Sequence, residues 1–296
     1  MTIITQTTPI QPPGISPRLW ISDFDGTVKP LNGPVSREDI LAVQELGRLG
    51  AVRAVATGRS IKTFLRDWDP LFEIDYLISS SGLAISRFGP EGHAALLSSH
   101  QFTPSQAEAA VAVARSAGMG FFLALPPPET HLTFWQKPPS GTVPSCFEAR
   151  ILHSGGDTSP WDGDGGRTLA QVLVMGAPPQ VRVAESRFRS ETPDLSLVVS
   201  SSPYGDGALW LEIYPAGVSK GIAAATLAAS LGIPAQDAVA LGNDYNDEDL
   251  LAWAGTAFVS SDAPETLKIL YPGMPPAGQG PLANVAGRLV PDFGSR

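Results

Sequence analysis

Three short apolar runs near the start of the chain, at residues 19–22, 52–56 and 76–79, constrain its fold more than any other feature. Each ends in a polar or glycine-containing turn. Between the first two, Ile40, Val43, Leu46 and Leu49 recur at helical spacing, with Ser36 and Asp39 in front reading as a capping box and Gly50 behind as a stop. Ser60 is placed to cap a further helix. Alternation of strand and helix at this spacing predicts an α/β fold with a doubly wound, Rossmann-like parallel sheet. Ligands of such sheets bind outside the carboxyl ends of the strands, so the turns after these runs are where chemistry is expected.

The first of those turns carries Asp23-Phe24-Asp25-Gly26-Thr27. In extended backbone, residues i and i+2 point the same way, so Asp23 and Asp25 start out close together unless the turn re-aims one. Neighbouring carboxylates repel, and the repulsion is relieved by a proton or a cation. The functional reading makes Asp23 a nucleophile toward phosphorus and Asp25 a general acid, then a general base. Gly26 permits a tight turn.

After residue 84 the pattern changes. A helix beginning at Thr103-Pro104-Ser105-Gln106 and stopping at Gly118 is followed by strands near 121–125 and 132–136. Residues 138–166, rich in Pro, Gly and Ser, read as loop with at most short elements. A strand at 169–174, a helix around 181–188 and strands at 195–199 and 209–214 complete an α+β unit. The parallel pattern then resumes with a helix at 222–231, a strand at 238–241, a short helix near 250, a last strand at 257–259 and two closing helices. The expected division is a loose lead-in at 1–17, a core of 18–84 with 206–296, and an inserted α+β cap domain at 85–205.

With 20 basic and 29 acidic residues the formal charge is −9, which makes nucleic acid and anionic membrane poor partners. Cys146 is the single cysteine, so no internal disulfide is available. No apolar run is long enough to span a bilayer, and the first residues lack a signal-peptide pattern. A soluble, cytoplasmic protein is expected. His93, His100, His131 and His153 show no metal-ligand spacing.

Three further constellations lie at turns. Thr57-Gly58-Arg59 follows the second run, where the Thr57 hydroxyl and backbone N–H groups can hold a phosphoryl oxygen. Lys220 follows Gly217-Val218-Ser219 and opens a helix. A cation there opposes the helix macrodipole, and neutralising phosphate while holding Asp23 ionised supplies a reason. Gly242-Asn243-Asp244-Tyr245-Asn246-Asp247 brings hard oxygen ligands to another strand end, a donor set that suits Mg²⁺.

Taken together these residues resemble the haloacid dehalogenase-like hydrolase superfamily, and within it the Cof-type phosphatases with a large inserted cap. Asp23-Phe24-Asp25-Gly26-Thr27 is similar to the first motif, Thr57-Gly58-Arg59 to the second, Gly217-Val218-Ser219-Lys220-Gly221 to the third and Gly242–Asp247 to the fourth, across roughly residues 18–290. The resemblance implies a Mg²⁺-dependent phosphatase of a small phosphorylated metabolite, a sugar phosphate being the first choice, working through a phosphorylated Asp23. It implies catalytic roles for Asp23, Asp25, Thr57 and Lys220, and phosphate or substrate contacts from Gly26, Gly58, Arg59 and Asn246. It also implies a metal held by Asp23, the backbone carbonyl of Asp25, and Asn243 or Asp247.

Two departures stand out. The family usually has Gly-Asp where this chain has Gly242-Asn243. Asn243 offers a neutral oxygen, and Asp244 or Asp247 can carry the load instead. Ser81-Gly82-Leu83 stands where Asn-Gly-Ala is common. The cap is expected to close over the strand ends, with residues near Phe134, Trp135, Gln136 and Lys137 setting specificity. Two other readings remain: a phosphomutase using the same Asp pair, and a catalytically silent protein that binds a phosphorylated ligand.

Overall fold

The structure is a computed structural model that describes residues 17–294 except 140, 142, 164, 165 and 292. Residues 1–16 of the expected lead-in lie outside the described residues, as do two positions of the glycine-rich stretch at 162–166. The chain divides into two compact units, residues up to 98 with those from 219 onward, and residues 99–218.

The first unit opens with β1 (Leu19–Ser22), α1 (Arg37–Arg48), β2 (Val52–Ala56), α2 (Ile61–Asp67) and β3 (Tyr76–Ser79). β1 pairs with β2 and β2 with β3, all parallel. Leu19 and Ile21 enter one apolar layer and Trp20 the other, so the strand is covered on both faces. That is the burial expected of a central parallel strand, and burying each such side chain contributes about 1.5–3 kcal/mol. Ser36 caps α1 by accepting from the Asp39 N–H at 3.1 Å. The expected box goes no further, because the Asp39 carboxylate accepts from the N–H of Ala283 at 3.0 Å instead of returning to Ser36.

The sheet then continues through two strands that sequence reasoning passed over, β4 (Ala84–Phe88), antiparallel to β3, and β5 (Ala94–Ser99). They explain why the first unit runs to residue 98 and not 84: residues 84–98 extend its sheet rather than beginning the insertion.

The second unit consists of α3 (Pro104–Ser116), β6 (Phe121–Ala124), β7 (Thr133–Gln136), α4 (Ser145–Leu152), β8 (Thr158–Pro160), β9 (Gln171–Gly176), α5 (Pro178–Glu191), β10 (Ser196–Ser201) and β11 (Leu209–Tyr214). Its six-stranded sheet has the order β10-β11-β9-β6-β7-β8. Alternation assigns the two faces. Phe121, Leu123, Val172 and Val174 pack with α3 and α5, while Phe122, Leu173 and Met175 pack with Cys146 and Phe147 of α4. α4 and β8 are the short elements of the stretch expected to be mostly loop; the aromatic partners of Phe147, Phe122 and Trp135, come from the sheet. β11 pairs with β9 and β10, so the unit extends past the expected boundary at 205.

The chain returns to the first unit with α6 (Lys220–Ser230), β12 (Ala238–Gly242), α7 (Glu248–Trp253), β13 (Thr256–Ser260), α8 (Glu265–Leu270), β14 (Gly273–Met274) and α9 (Pro281–Leu289). β12 pairs parallel with β1, giving the order β14-β13-β12-β1-β2-β3-β4-β5. β13, expected to be the last strand, is followed by the two-residue β14. β1, which carries the Asp pair at its end, therefore lies in the middle of the sheet, with the turn after β2 on one side and the turn after β12 on the other.

Candidate active site

Asp23 continues the β1 pairing by one residue, its N–H donating to the Leu241 carbonyl at 2.8 Å. Phe24 then turns into the core, edge-on to Phe64 with ring centroids 4.9 Å apart. The N–H groups of Val28 and Lys29 both donate to its carbonyl, and that of Gly26 donates to the Lys29 carbonyl, which closes the loop. Gly26 has φ +75°, and a Cβ there would meet the Asn243 amide at 2.4 Å. Both the turn and the approach of the second loop therefore require glycine at this position.

Lys220 is the electrostatic centre. Ser219 caps α6 by accepting from the Ile222 N–H. Lys220 is fully buried, and its Nζ donates to Asp23 Oδ1 at 2.6 Å and to Asp247 Oδ1 at 2.7 Å. The second oxygen of Asp247 accepts from the N–H groups of Asn243 (2.8 Å) and Asp244 (3.2 Å). Burial works against the charge on Lys220, but Asp23 and Asp247 outweigh it and hold the ammonium above its ordinary range. Asp23 is pushed up to about 7, first by burial and then by the charges of Asp247 and Asp25, with Lys220 opposing. One cation between two carboxylates leaves 1 − 2 = −1 in a buried cluster, an imbalance that favours a further cation.

Asp25 goes elsewhere. The turn re-aims it toward Arg59, which grips it with two bonds of 2.7 Å, Nε to Oδ2 and Nη2 to Oδ1. Arg59 also pairs with Asp67 and donates to the Thr63 carbonyl. The guanidinium expected at a phosphate is thus occupied by two acids. Asp67 was not singled out in the sequence, and nothing in its local pattern marks it. Thr57 is buried at the end of β2, where its Oγ1 accepts from the Arg59 N–H at 3.1 Å. Gly58 lies between them. The following turn at residues 80–82 has positive φ at Ser80, Ser81 and Gly82. A Cβ on Gly82 would strike the Ser219 carbonyl at 2.2 Å, so this turn presses directly on the start of α6. Asn246 is half-buried in the turn after β12.

Among the described residues no group of three or more His, Cys, Asp or Glu side chains is gathered for a metal. The oxygens that do converge are of mixed kind. One terminal atom of the Asn243 amide lies 3.0 Å from both the Asp25 carbonyl and Asp23 Oδ2, and 2.9 Å from Thr27 Oγ1. With nitrogen there, the amide donates to these acceptors. With oxygen there, it accepts from Thr27, and oxygens about 3.0 Å apart have the spacing of an octahedral edge around Mg²⁺ with bonds of 2.0–2.1 Å. The donor set fits a hard divalent ion. It also separates the fourth-loop candidates: Asn243 faces Asp23 and Asp25, whereas both oxygens of Asp247 are engaged with Lys220 and backbone N–H groups.

Similarity to known proteins runs along most of the chain. The family described as haloacid dehalogenase-like hydrolase matches residues 20–271. A Haemophilus influenzae protein provisionally named a phosphatase is 31% identical over 130 residues, which is 44% of this chain and 46% of that protein, so the alignment spans just under half of the relative's length. A Cronobacter sakazakii protein named HMP-PP phosphatase is 24% identical over 270 residues, 88% of this chain and 90% of that protein. A solved structure from Bacteroides thetaiotaomicron, described among the phosphatases of the haloalkanoate enzyme superfamily, superposes with a TM-score of 0.76 at 16% identity, covering 96% of this chain and 99% of that one.

Proposed function

We propose, from the premise that this chain belongs to the haloacid dehalogenase-like hydrolase family, that it is a phosphatase acting on a small phosphorylated metabolite. The observation that carries the reading is the buried Asp23–Lys220–Asp247 chain of contacts at 2.6 and 2.7 Å beside the Asp25 turn. A carboxylate fixed by an ammonium in a dry site is a nucleophile positioned before the reaction begins.

In this reading an Asp23 oxygen attacks phosphorus, the bond from phosphorus to the ester oxygen breaks, and Asp25 gives that oxygen a proton. Water then attacks phosphorus, returns a proton to Asp25 and frees inorganic phosphate and Asp23. Thr57 and Lys220 hold the transferring group. Asp23, the Asp25 carbonyl and Asn243 would hold Mg²⁺, which supplies charge neutralisation at the phosphoryl oxygens when bound. Sugar phosphates are the first substrates to test, one of the solved structures that share this fold being described as a sugar phosphatase.

Phosphate release from a panel of sugar phosphates, nucleotides and phosphorylated cofactors, with Mg²⁺ and with chelator, tests the proposal. Release that needs Mg²⁺ and is lost in Asp23→Asn is the expected result. Asn243 favours one second reading, a silent receptor for a phosphorylated ligand, since a neutral amide contributes less charge to a metal site than a carboxylate. Tight ligand binding without release anywhere on the panel would establish that reading instead.

A further inference from the structure

Arg59 stands just before the Ser60 cap of α2, and Thr63 and Asp67 follow at four-residue steps, so the three line up along one side of that helix. Asp67 is the last residue of α2. An acid there opposes the helix macrodipole, so its place calls for a partner. The pair with Arg66 is long, at 3.6 Å, and that guanidinium is mostly exposed. Arg59 is the closer partner. Its Nη1 donates to Asp67 Oδ2 and, at 3.0 Å, to the Thr63 carbonyl.

The opposite edge of the same guanidinium, Nε and Nη2, holds the two oxygens of Asp25 at 2.7 Å each. The ring of Phe24 lies against it, 5.4 Å from the guanidinium carbon, and is itself set edge-on to Phe64 of α2. An aromatic face fixes the plane of the cation, and α2 fixes one of its edges. These bonds engage all three guanidinium nitrogens and leave no free fork of paired donors for a phosphate. Asp25, in contrast, is half-exposed, and among the described residues its carboxylate has Arg59 as its only side-chain partner. Whatever holds Arg59 therefore holds Asp25.

We propose that Asp67 is a positioning residue: it anchors the far edge of Arg59, and Arg59 in turn aims Asp25 at the leaving oxygen instead of binding phosphate. The aim at a leaving oxygen rests on the phosphatase reading above; the hold of Asp67 on Arg59 does not. In the step concerned, the bond from phosphorus to the ester oxygen breaks and the Asp25 carboxyl gives that oxygen its proton, leaving an alcohol and a carboxylate. Transfer needs the donor within hydrogen-bond reach, and a misplacement of about 1 Å can cost about 10²-fold in rate.

Leaving-group dependence tests this. An alkyl ester such as a hexose phosphate expels an alkoxide and needs the proton, whereas p-nitrophenyl phosphate expels a stable phenolate and does not. With Mg²⁺ and the whole chain, Asp67→Ala is expected to lower kcat/KM about tenfold on the hexose phosphate and by less than about twofold on the nitrophenyl ester. Asp67→Asn keeps an oxygen for Nη1 and should fall between. Inhibition by inorganic phosphate should stay as in wild type. In an Asp25→Asn background, Asp67→Ala is expected to change the ratio of the two esters no further, because its effect runs through Asp25. A merely structural loss lowers both esters alike. Equal losses with weaker phosphate inhibition would return Arg59 to the phosphate and overturn the assignment, as would an unchanged ratio in Asp67→Ala.

The Nε–H resonance of Arg59, assigned with Arg59→Lys, reports the anchor without any turnover. In Asp67→Ala its exchange with solvent is expected to quicken at least about tenfold, while the backbone amides of β1 and β2 keep their protection. Unchanged exchange overturns the role of Asp67. Quickened exchange in a protein that releases phosphate from neither ester overturns the phosphatase reading and leaves the Asp67–Arg59–Asp25 hold standing.

Discussion

Lys220 reaches Asp23 from 197 residues away in sequence, and the 2.6 Å contact between them is fully enclosed. Because the same ammonium also holds Asp247, removing it strands two buried carboxylates. Lys220→Met is expected to destabilise the protein by about 3–5 kcal/mol, the usual cost of leaving a buried charge unpaired. Urea unfolding at neutral pH measures this. The double variant Lys220→Met with Asp23→Asn should recover part of the loss, and full additivity of the two changes would show that the residues do not act as a pair.

Asn243 makes metal response the most informative property of the site. Asn243→Asp adds a carboxylate beside Asp23, so the metal-free protein is expected to melt at a lower temperature than wild type. With Mg²⁺ the order should reverse, because the added charge tightens binding by about tenfold or more and bound ligand stabilises the folded state. Melting curves with and without Mg²⁺ are the measurement. A variant whose melting temperature ignores the ion would remove Asn243 from the metal site.

Asp25 is half-exposed and gripped by Arg59. Asp25→Asn is expected to lower kcat by about 10²–10⁴, the range of a lost general acid–base group. Stability should fall by about 1 kcal/mol or less, as expected for an exposed ion pair. A rise in melting temperature from relieved Asp23–Asp25 repulsion is not expected, since the turn points Asp25 at a cation. Undiminished turnover would reassign the proton transfer.

Asp39 supplies a pH dependence remote from the chemistry. It is fully buried, its Oδ2 has no partner, and burial is the main force pushing its carboxyl from 3.8 up to about 6. Its folded-state value lies above the unfolded one, so between about pH 4 and 6 the folded state holds the extra proton. Stability from this group is therefore greatest below that window and declines through it, by about 3 kcal/mol in total. Asp39→Asn retains an oxygen for the Ala283 N–H and carries no charge. It should melt above wild type at pH 8 and level with it near pH 4. A wild type that is the more stable at pH 8 would exclude a buried charge at this position.

The parallel sheet was legible because its signals are local. Residues 19–22 are buried throughout, 52–56 are apolar but for Arg53, and Ser36, Ser60 and Thr103 each sit immediately before a helix and cap it. β4 and β5 were not legible: Ser86 and Arg87 together interrupt one, and the other, Ala94–Ser99, is only partly buried at the sheet edge, so neither has a clean hydrophobic pattern. α4 was hidden for a related reason, its burial depending on Phe122 and Trp135 from other segments.

Within the site, residue types pointed to Asp23, Lys220 and the loop after β12. They could not tell that Asp247 would be consumed by Lys220 while Asn243 turned to Asp25, because that choice is made by hydrogen bonds across more than 200 residues. The Asp25–Arg59–Asp67 chain was likewise invisible, as it joins side chains from separate elements.

β1 takes one neighbour, β2, from the following 34 residues and the other, β12, only at residues 238–242. A ribosome thus releases the nucleophile's strand long before its second flank, and the 120 residues from 99 to 218 must emerge in between. The inserted unit owns a complete sheet and can fold while the first is still half-built. Until α6 follows, Asp23 has no ammonium to meet. Reactivity at this centre is therefore withheld from the nascent chain by order of synthesis alone.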